Sequence, residues 1–269
     1  MIHATAIIHP QAKLDSTVEV GPYAVIDEGV EVGAHCKIGP HVYLTGRARI
    51  GQSNQFHAGC VIGDAPQDLR YGGQLTGVVI GDNNVFREHA TVHRSNDINQ
   101  LTHLGSGNFL MVNSHVGHNG QLGDHVILAN GVLLAGHVTI EDRAFISGNC
   151  LIHQFVRIGT LAMMQGGAAI SKDLPPFMMA RGDNGICGLN TVGLRRAGMP
   201  ADDRLELRKL YHALFRGTGS WKARVEAARR EFSSAPARRV IEFVSASQRG
   251  ICADVSSEQD LAGSYLEEA

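Results

Sequence analysis

The stretch NSHVGHNGQLGDH, Asn113 to His125, holds three histidines in thirteen residues. Imidazole is the side chain whose unperturbed pKa lies near neutrality, so a histidine beside a ligand can take and return a proton under physiological conditions. His118 follows Gly117, whose missing Cβ lets a ligand come close to the backbone. Nothing nearby supplies a Ser/His/Asp arrangement, a P-loop or a GxGxxG unit, so acyl transfer through a serine and nucleotide hydrolysis are not supported. Direct transfer assisted by a single base fits the residues present.

The element that must hold these histidines is a repeat. An aliphatic or other large apolar residue recurs every six positions, from Ile8, Leu14, Val20 and Ile26 through Val116, Leu122, Leu128 and Leu134 to Ile170, and a small residue follows four later, as at Ala24, Cys36, Cys60, Cys150 and Ala162. Short strands separated by tight corners describe a parallel β-helix of hexapeptide type, with three hexapeptides making one triangular coil of 18 residues. Segments 18 residues apart stack about 4.8 Å from each other. The hexapeptides at Val116, Leu134 and Ile152 therefore share one face, which brings His118, His137 and His153 with Gln154 from successive coils, with His115 entering the same face. His125 belongs to the next hexapeptide and faces elsewhere. Gly136 and Gly148 leave backbone open beside the imidazoles.

Glycine is abundant (32 residues) and the chain has only one Trp and 9 Phe, which suits a thin aliphatic interior better than a thick core. No run of about 18 apolar residues occurs and the first ten residues lack the pattern of a signal peptide, so a cytoplasmic protein with no stable membrane insertion is expected. The five cysteines are scattered without a CxxC pair, and Cys36, Cys60 and Cys150 fall on the interior position, so they read as reduced core thiols.

The solenoid is expected over residues 1–183, with insertions near 63–79 and 93–103. Loops thrown from a rigid scaffold are where binding and catalysis concentrate. Residues 184–252 form a helical domain: after Pro200 the apolar spacing becomes helical through Leu207, Leu210, Tyr211, Leu214 and Phe215, and two further helices carry Val225, Ala228 and Phe232, then Val240, Ile241 and Val244. Residues 253–269 read as a disordered acidic tail. Net charge is -2, yet residues 191–250 carry 13 Lys+Arg against 6 Asp+Glu, a bias that suits an acidic or phosphorylated partner. No nucleic-acid partner is expected.

The segments PQDLRYGG (66–73), TVHRS (91–95), NSHVGH (113–118), LAGHV (134–138), HQFVRIG (153–159), DLPPF (173–177) and GLRRAG (193–198) together resemble the UDP-N-acetylglucosamine acyltransferase family of lipid A biosynthesis, over about residues 2–251. The resemblance implies a left-handed parallel β-helix with a C-terminal α-helical domain, assembled as a homotrimer with sites between neighbouring solenoids. It implies transfer of an (R)-3-hydroxyacyl chain from acyl carrier protein to the 3-hydroxyl of UDP-N-acetylglucosamine, with no metal or cofactor beyond the carrier's phosphopantetheine. On the matching positions His118 is the general base and the Gly136 N–H the oxyanion donor. Asp68, Arg70, His115 and His137 match residues near the sugar and acyl portions, and His153 stands with Gln154 beside them. Gln154, Asn190 and Arg196 match the nucleotide side, and Gly166 matches the end of the acyl groove. The family carries Asp after the catalytic histidine where this chain has Asn119. A carboxylate beside imidazole fixes its tautomer and stabilises the imidazolium, whereas an amide oxygen can only orient the ring. That departure, with Val192 and Ala197 at nucleotide-side positions, leaves open a related UDP-amino sugar with an amine acceptor, or a binding-only paralogue. A trimeric zinc carbonic anhydrase is the remote alternative.

Overall fold

The computed structural model describes residues 1–255; Ser256–Ala269, most of the stretch read as an acidic tail, lie outside the described residues. Two-residue strands recur along the chain and stack into three sheets of nine, eight and eleven strands, parallel throughout the coils, where each strand is hydrogen-bonded to its counterparts in the neighbouring coils. Val116 pairs with Leu134 and Leu134 with Ile152, which is the stacking expected from a period of 18. The fold is a left-handed parallel β-helix followed by a helical domain.

Most hexapeptides turn their corner through the same conformation. In these the third residue after the apolar one has positive φ, as at Tyr23, His41, Asn113, Asn119, His125 and His137, or at glycines such as Gly29 and Gly59. Left-handed backbone is tolerated best by Gly, Asn, Asp and His, so corner residues of these types close the turn with little strain. The next side chain points inward. Val18, Ala24, Val30, Cys36, Cys60, Ala90 and Cys150 are fully or almost fully buried there, under the Ile, Val and Leu stacks. Burial pushes the Cys60 thiol up to about 12 and raises Cys36 and Cys150, which suits inert core thiols.

The interior is less uniformly apolar than the repeat suggests. Asn54, Asn84 and Asn108 occupy the inward position of three successive coils and are buried. Each oxygen accepts a backbone N–H from the next coil: Asn54 Oδ1 from Asn84, Asn84 Oδ1 from Asn108, and Asn108 Oδ1 from Val126, all at 2.7–2.9 Å. A stacked amide thus replaces small apolar residues along one edge, and its polar cost is offset by these bonds.

The insertions are narrower than 63–79 and 93–103, because flanking strands run into them: Val61–Asp64 and Gly77–Ile80 bracket the first, Thr91–His93 and Leu101–Leu104 the second. Both leave the nine-stranded sheet and return in the eight-stranded one, at the corner that carries His118.

The sheet does not stop at residue 183. Met178–Arg181 and Gly185–Leu189 form an antiparallel hairpin on the last coil, and Ala253–Asp254, assigned to the tail by composition, pair in parallel with its second strand. Between them lie α1 (Thr191–Arg196), α2 (Ala201–Tyr211), a π-helical turn (His212–Arg216), α3 (Trp221–Glu231) and α4 (Ala235–Ser245). Ser220 and Ser234 cap α3 and α4 by accepting the N–H groups of Ala223 and Ala237. The Arg239 guanidinium donates to Glu141 at 3.0 Å and Arg157 stacks 4.1 Å from the Phe243 ring centroid, which fixes α4 to the solenoid. Among the described residues no helix is long and apolar enough to cross a membrane.

Candidate active site

The register resolves the order of the histidines. His118 lies two residues past Val116, His137 three past Leu134, and His153 one past Ile152. The corner therefore stacks His118 on Gly136 and Gln154, and Asn119 on His137 and Phe155, instead of forming a single column of imidazoles. The His118 ring lies directly against Gly136: a Cβ built there would sit 2.5 Å from both Cε1 and Nε2. Glycine at 136 is what lets the imidazole lie down over the next coil. The His137 ring meets the His118 ring edge-on at 5.1 Å and is itself stacked on Phe155 at 4.5 Å, so His118 is braced from one side by an aromatic pair.

Beside this corner opens a cavity of about 700 Å³, lined by His118, His115, Gly117, Gly136, His153 and Gln154 with the aliphatics Leu133, Leu134, Leu151 and Ile152. Leu133 and Leu151 are 45% and 50% exposed, so the floor of the cavity is an open apolar surface rimmed by imidazoles. That combination suits a substrate with an apolar chain and a polar reacting end.

Backbone donors point the same way. Among the described residues no acceptor takes the N–H of His118, Gly136 or Gln154. At the corner between the eight- and eleven-stranded sheets the equivalent N–H groups are taken: Asp82, Asp124 and Asp142 Oδ1 accept from Gln52, Ser106 and Asp124 at 2.7–2.9 Å. The histidine corner thus keeps free donors beside Nε2 of the imidazole, the place where an oxyanion would form.

On its other ring nitrogen, His118 Nδ1 is 2.9 Å from Asn119 Oδ1. An amide oxygen only accepts, so the neutral ring carries its proton on Nδ1 and presents the Nε2 lone pair toward Gly136. An imidazole with an open Nε2, an amide that orients it and unpaired N–H groups are assembled within three coils.

The remaining expected residues divide. His115 and His153 with Gln154 line the cavity. His115 Nδ1 lies 2.8 Å from Thr91 Oγ1 and its ring meets His93 edge-on at 4.8 Å. His93, within the TVHRS segment but absent from the expected site, also lines the cavity; its place was readable from the pairing of Thr91 with His115. Asp68 and Arg70 do not line it. The Asp68 carboxylate accepts from the Arg70 backbone N–H (2.9 Å) and from Asn96 Nδ2 (2.7 Å), which hold it below the usual carboxylate range, while the Arg70 side chain is 90% exposed. Asn190 caps α1, accepting from Gly193 N–H and donating to Leu161 O. Arg196 and Gly166 are exposed and lie outside the cavity. One residue no motif indicated, Arg249, reaches His153 Nδ1 at 3.2 Å and donates to Ser171 O.

Burial, followed by the neighbouring His93 and His118, pushes His115 down to about 4; burial also lowers His93 and His137. His115 accepts a proton near pH 6.5 when unfolded and only near 4 when folded, so the unfolded chain binds more protons between these values. Stability is unaffected above pH 6.5 and falls as pH drops toward 4, by up to about 3 kcal/mol from this group. Urea midpoints at pH 7 and pH 4.5 should therefore separate, and His115→Gln should shrink the separation; an equal acid shift in both proteins would remove His115 as its cause.

Comparison with known proteins completes the description. A family profile described as UDP N-acetylglucosamine O-acyltransferase, domain 2, matches residues 173–252, and one for the bacterial transferase hexapeptide (six repeats) matches residues 12–46. UDP-N-acetylglucosamine O-acyltransferases named as taking their acyl group from acyl carrier protein include those of Herminiimonas arsenicoxydans, 41% identical over 93% of this chain and 98% of the relative, and Burkholderia orbicola, 44% identical over the same shares. The crystal structure of the Francisella novicida UDP-N-acetylglucosamine acyltransferase superposes with a TM-score of 0.91 at 35% identity, covering 96% of each chain.

Proposed function

The chain belongs to the UDP-N-acetylglucosamine O-acyltransferase family, and from that premise we propose that His118 is the general base in moving an (R)-3-hydroxyacyl chain from acyl carrier protein to the 3-hydroxyl of UDP-N-acetylglucosamine. The protein is an acyltransferase of lipid A biosynthesis. The observation that carries the base assignment is the His118 imidazole held by Asn119 on Nδ1, with Nε2 free beside the unpaired Gly136 N–H.

The reaction follows from that geometry. The sugar hydroxyl attacks the thioester carbonyl while His118 Nε2 takes its proton. Negative charge grows on the carbonyl oxygen and is met by the Gly136 N–H. Collapse breaks the carbon–sulfur bond, and the His118 imidazolium returns the proton to the departing thiolate. Ester and free carrier thiol result, with nothing required beyond the phosphopantetheine arm that brings the acyl group. The outward side chains of Leu133 and Leu151 receive the apolar chain.

A homotrimer accounts for the residues that stand apart. Outward side chains of the eight-stranded sheet, such as Lys13, Glu31, Gln121 and Arg157, are polar, but those of the other two sheets are apolar over the C-terminal coils: Leu133 and Leu151 on one, Phe109, Ile127, Phe145 and Met163 on the other. Two apolar faces meet each other around a threefold axis, and Gly166, Asn190 and Arg196 then complete the site of a neighbouring subunit. The basic helical domain receives the acidic carrier protein, and the enzyme works in the cytoplasm.

Mass spectrometry of purified protein with a ladder of (R)-3-hydroxyacyl carrier proteins and UDP-N-acetylglucosamine tests the reading. Acylated sugar is expected, with the KM for carrier rising several-fold between low and high salt and the KM for the sugar nucleotide nearly constant, because charge attraction between protein surfaces is screened. Asn119 motivates one competing acceptor, since an amine at the attacked carbon needs a weaker base than a hydroxyl. Product only from a UDP sugar bearing that amine would replace the proposed acceptor, and no product from either would overturn the reaction.

A further inference from the structure

Asn119 is 3% exposed and every polar atom of it is bonded. Its Oδ1 faces His118 Nδ1 at 2.9 Å and accepts the Asn96 backbone N–H at 3.1 Å; its Nδ2 donates to Ser95 Oγ at 2.7 Å and to Gln100 Oε1 at 3.1 Å; its own N–H donates to Thr102 Oγ1 at 2.8 Å. Rotating the amide by half a turn would press Nδ2 against the Asn96 backbone N–H, a donor that cannot turn into an acceptor, so the orientation is set by the loop and not by His118. Ser95 Oγ is held in turn, accepting from Asp97 N–H and donating to Asp97 O, both at 3.0 Å. Asp68 anchors the assembly from the other insertion by accepting from Asn96 Nδ2 at 2.7 Å.

We propose that the 94–100 loop is a positioning device for the base: Ser95, Asn96 and Gln100 lock the Asn119 amide with its oxygen toward His118, and so select the imidazole tautomer whose Nε2 is unprotonated. A carboxylate at 119 would present an acceptor to His118 in either orientation. An amide presents one only if its nitrogen is engaged elsewhere, and this loop supplies two acceptors for it. The two insertions thereby acquire a joint role, with Asp68 acting through Asn96.

The inference rests on His118 being the base, and its test separates the two claims. Long-range proton–nitrogen correlation spectra of the full-length protein labelled with 15N-histidine, with the His118 signals identified by their loss in His118→Gln, read the tautomer without reference to activity. At a pH where the ring is neutral, wild type should be protonated on Nδ1. Ser95→Ala with Gln100→Ala should yield a mixture of tautomers and lower kcat by roughly 10- to 100-fold, with KM values within about twofold. Adding Asn119→Asp to that pair should restore kcat to within about threefold of wild type, because a carboxylate needs no engaged nitrogen. Protonation on Nε2 in wild type would overturn the proposal even if the paired variant did not fold. So would a folded pair that keeps the wild-type tautomer and kcat. Full activity in His118→Ala would instead defeat the base assignment while leaving the tautomer result to stand or fall on its own.

Discussion

His118→Ala lowers kcat/KM by about 10² to 10⁴, the range that a positioned general base supplies, and the loss falls on kcat. At 1.36 kcal/mol per tenfold this is about 3 to 5 kcal/mol of transition-state stabilisation. The direction follows from geometry alone. The imidazole is partly exposed at a corner, held by one bond to Asn119 and an edge contact with His137, so its removal opens no core cavity and the thermal midpoint should move little. Activity above the uncatalysed rate should persist, since the Gly136 N–H and the apolar floor remain. Steady-state rates and thermal midpoints of both proteins check this, and an unchanged kcat/KM in the variant would place the base elsewhere.

The scaffold was legible because its physics is local. Hexapeptide after hexapeptide repeats one apolar contact and, in most, one left-handed corner, so stacking by 18 residues puts Val116, Leu134 and Ile152 in register and brings His118 to Gly136 without any knowledge of the rest. The same period placed the buried cysteines and excluded His125, whose ring instead covers Gly107 in its own edge of the solenoid. What the period could not carry lies where it is interrupted. Ser95, Asn96 and Gln100 have no repeat partner, and their convergence on Asn119 depends on how the 94–100 loop folds back. The hairpin Met178–Leu189 was hidden because one strand pairs antiparallel at the solenoid's end, where neither the sixfold nor the helical spacing applies. Arg249 was invisible for a simpler reason: 96 residues separate it from His153 and no motif links them.

Gly136→Ala should be nearly as damaging as loss of the His118 imidazole, although it removes no functional group. Gly136 does not adopt the left-handed φ that disfavours a side chain, so the fold should persist with alanine there. The new methyl would sit 2.5 Å from His118 Cε1 and Nε2, inside van der Waals contact, and the ring must swing away. Little room is available for that motion. Nδ1 is tied to Asn119 at 2.9 Å and the far edge meets His137 at 5.1 Å, so Nε2 moves by about an ångström or the Asn119 bond breaks. A misplacement of that size costs about 10²-fold in a reaction that depends on a near-attack geometry. The informative measurement is the cycle with His118→Ala. If the methyl acts only by displacing the imidazole, Gly136→Ala should add almost nothing in the His118→Ala background, because the group it displaces is already gone. A second loss of similar size in that background would show instead that the Gly136 N–H has been pushed out of line with the developing oxyanion, and would assign the larger share of Gly136's contribution to its backbone donor.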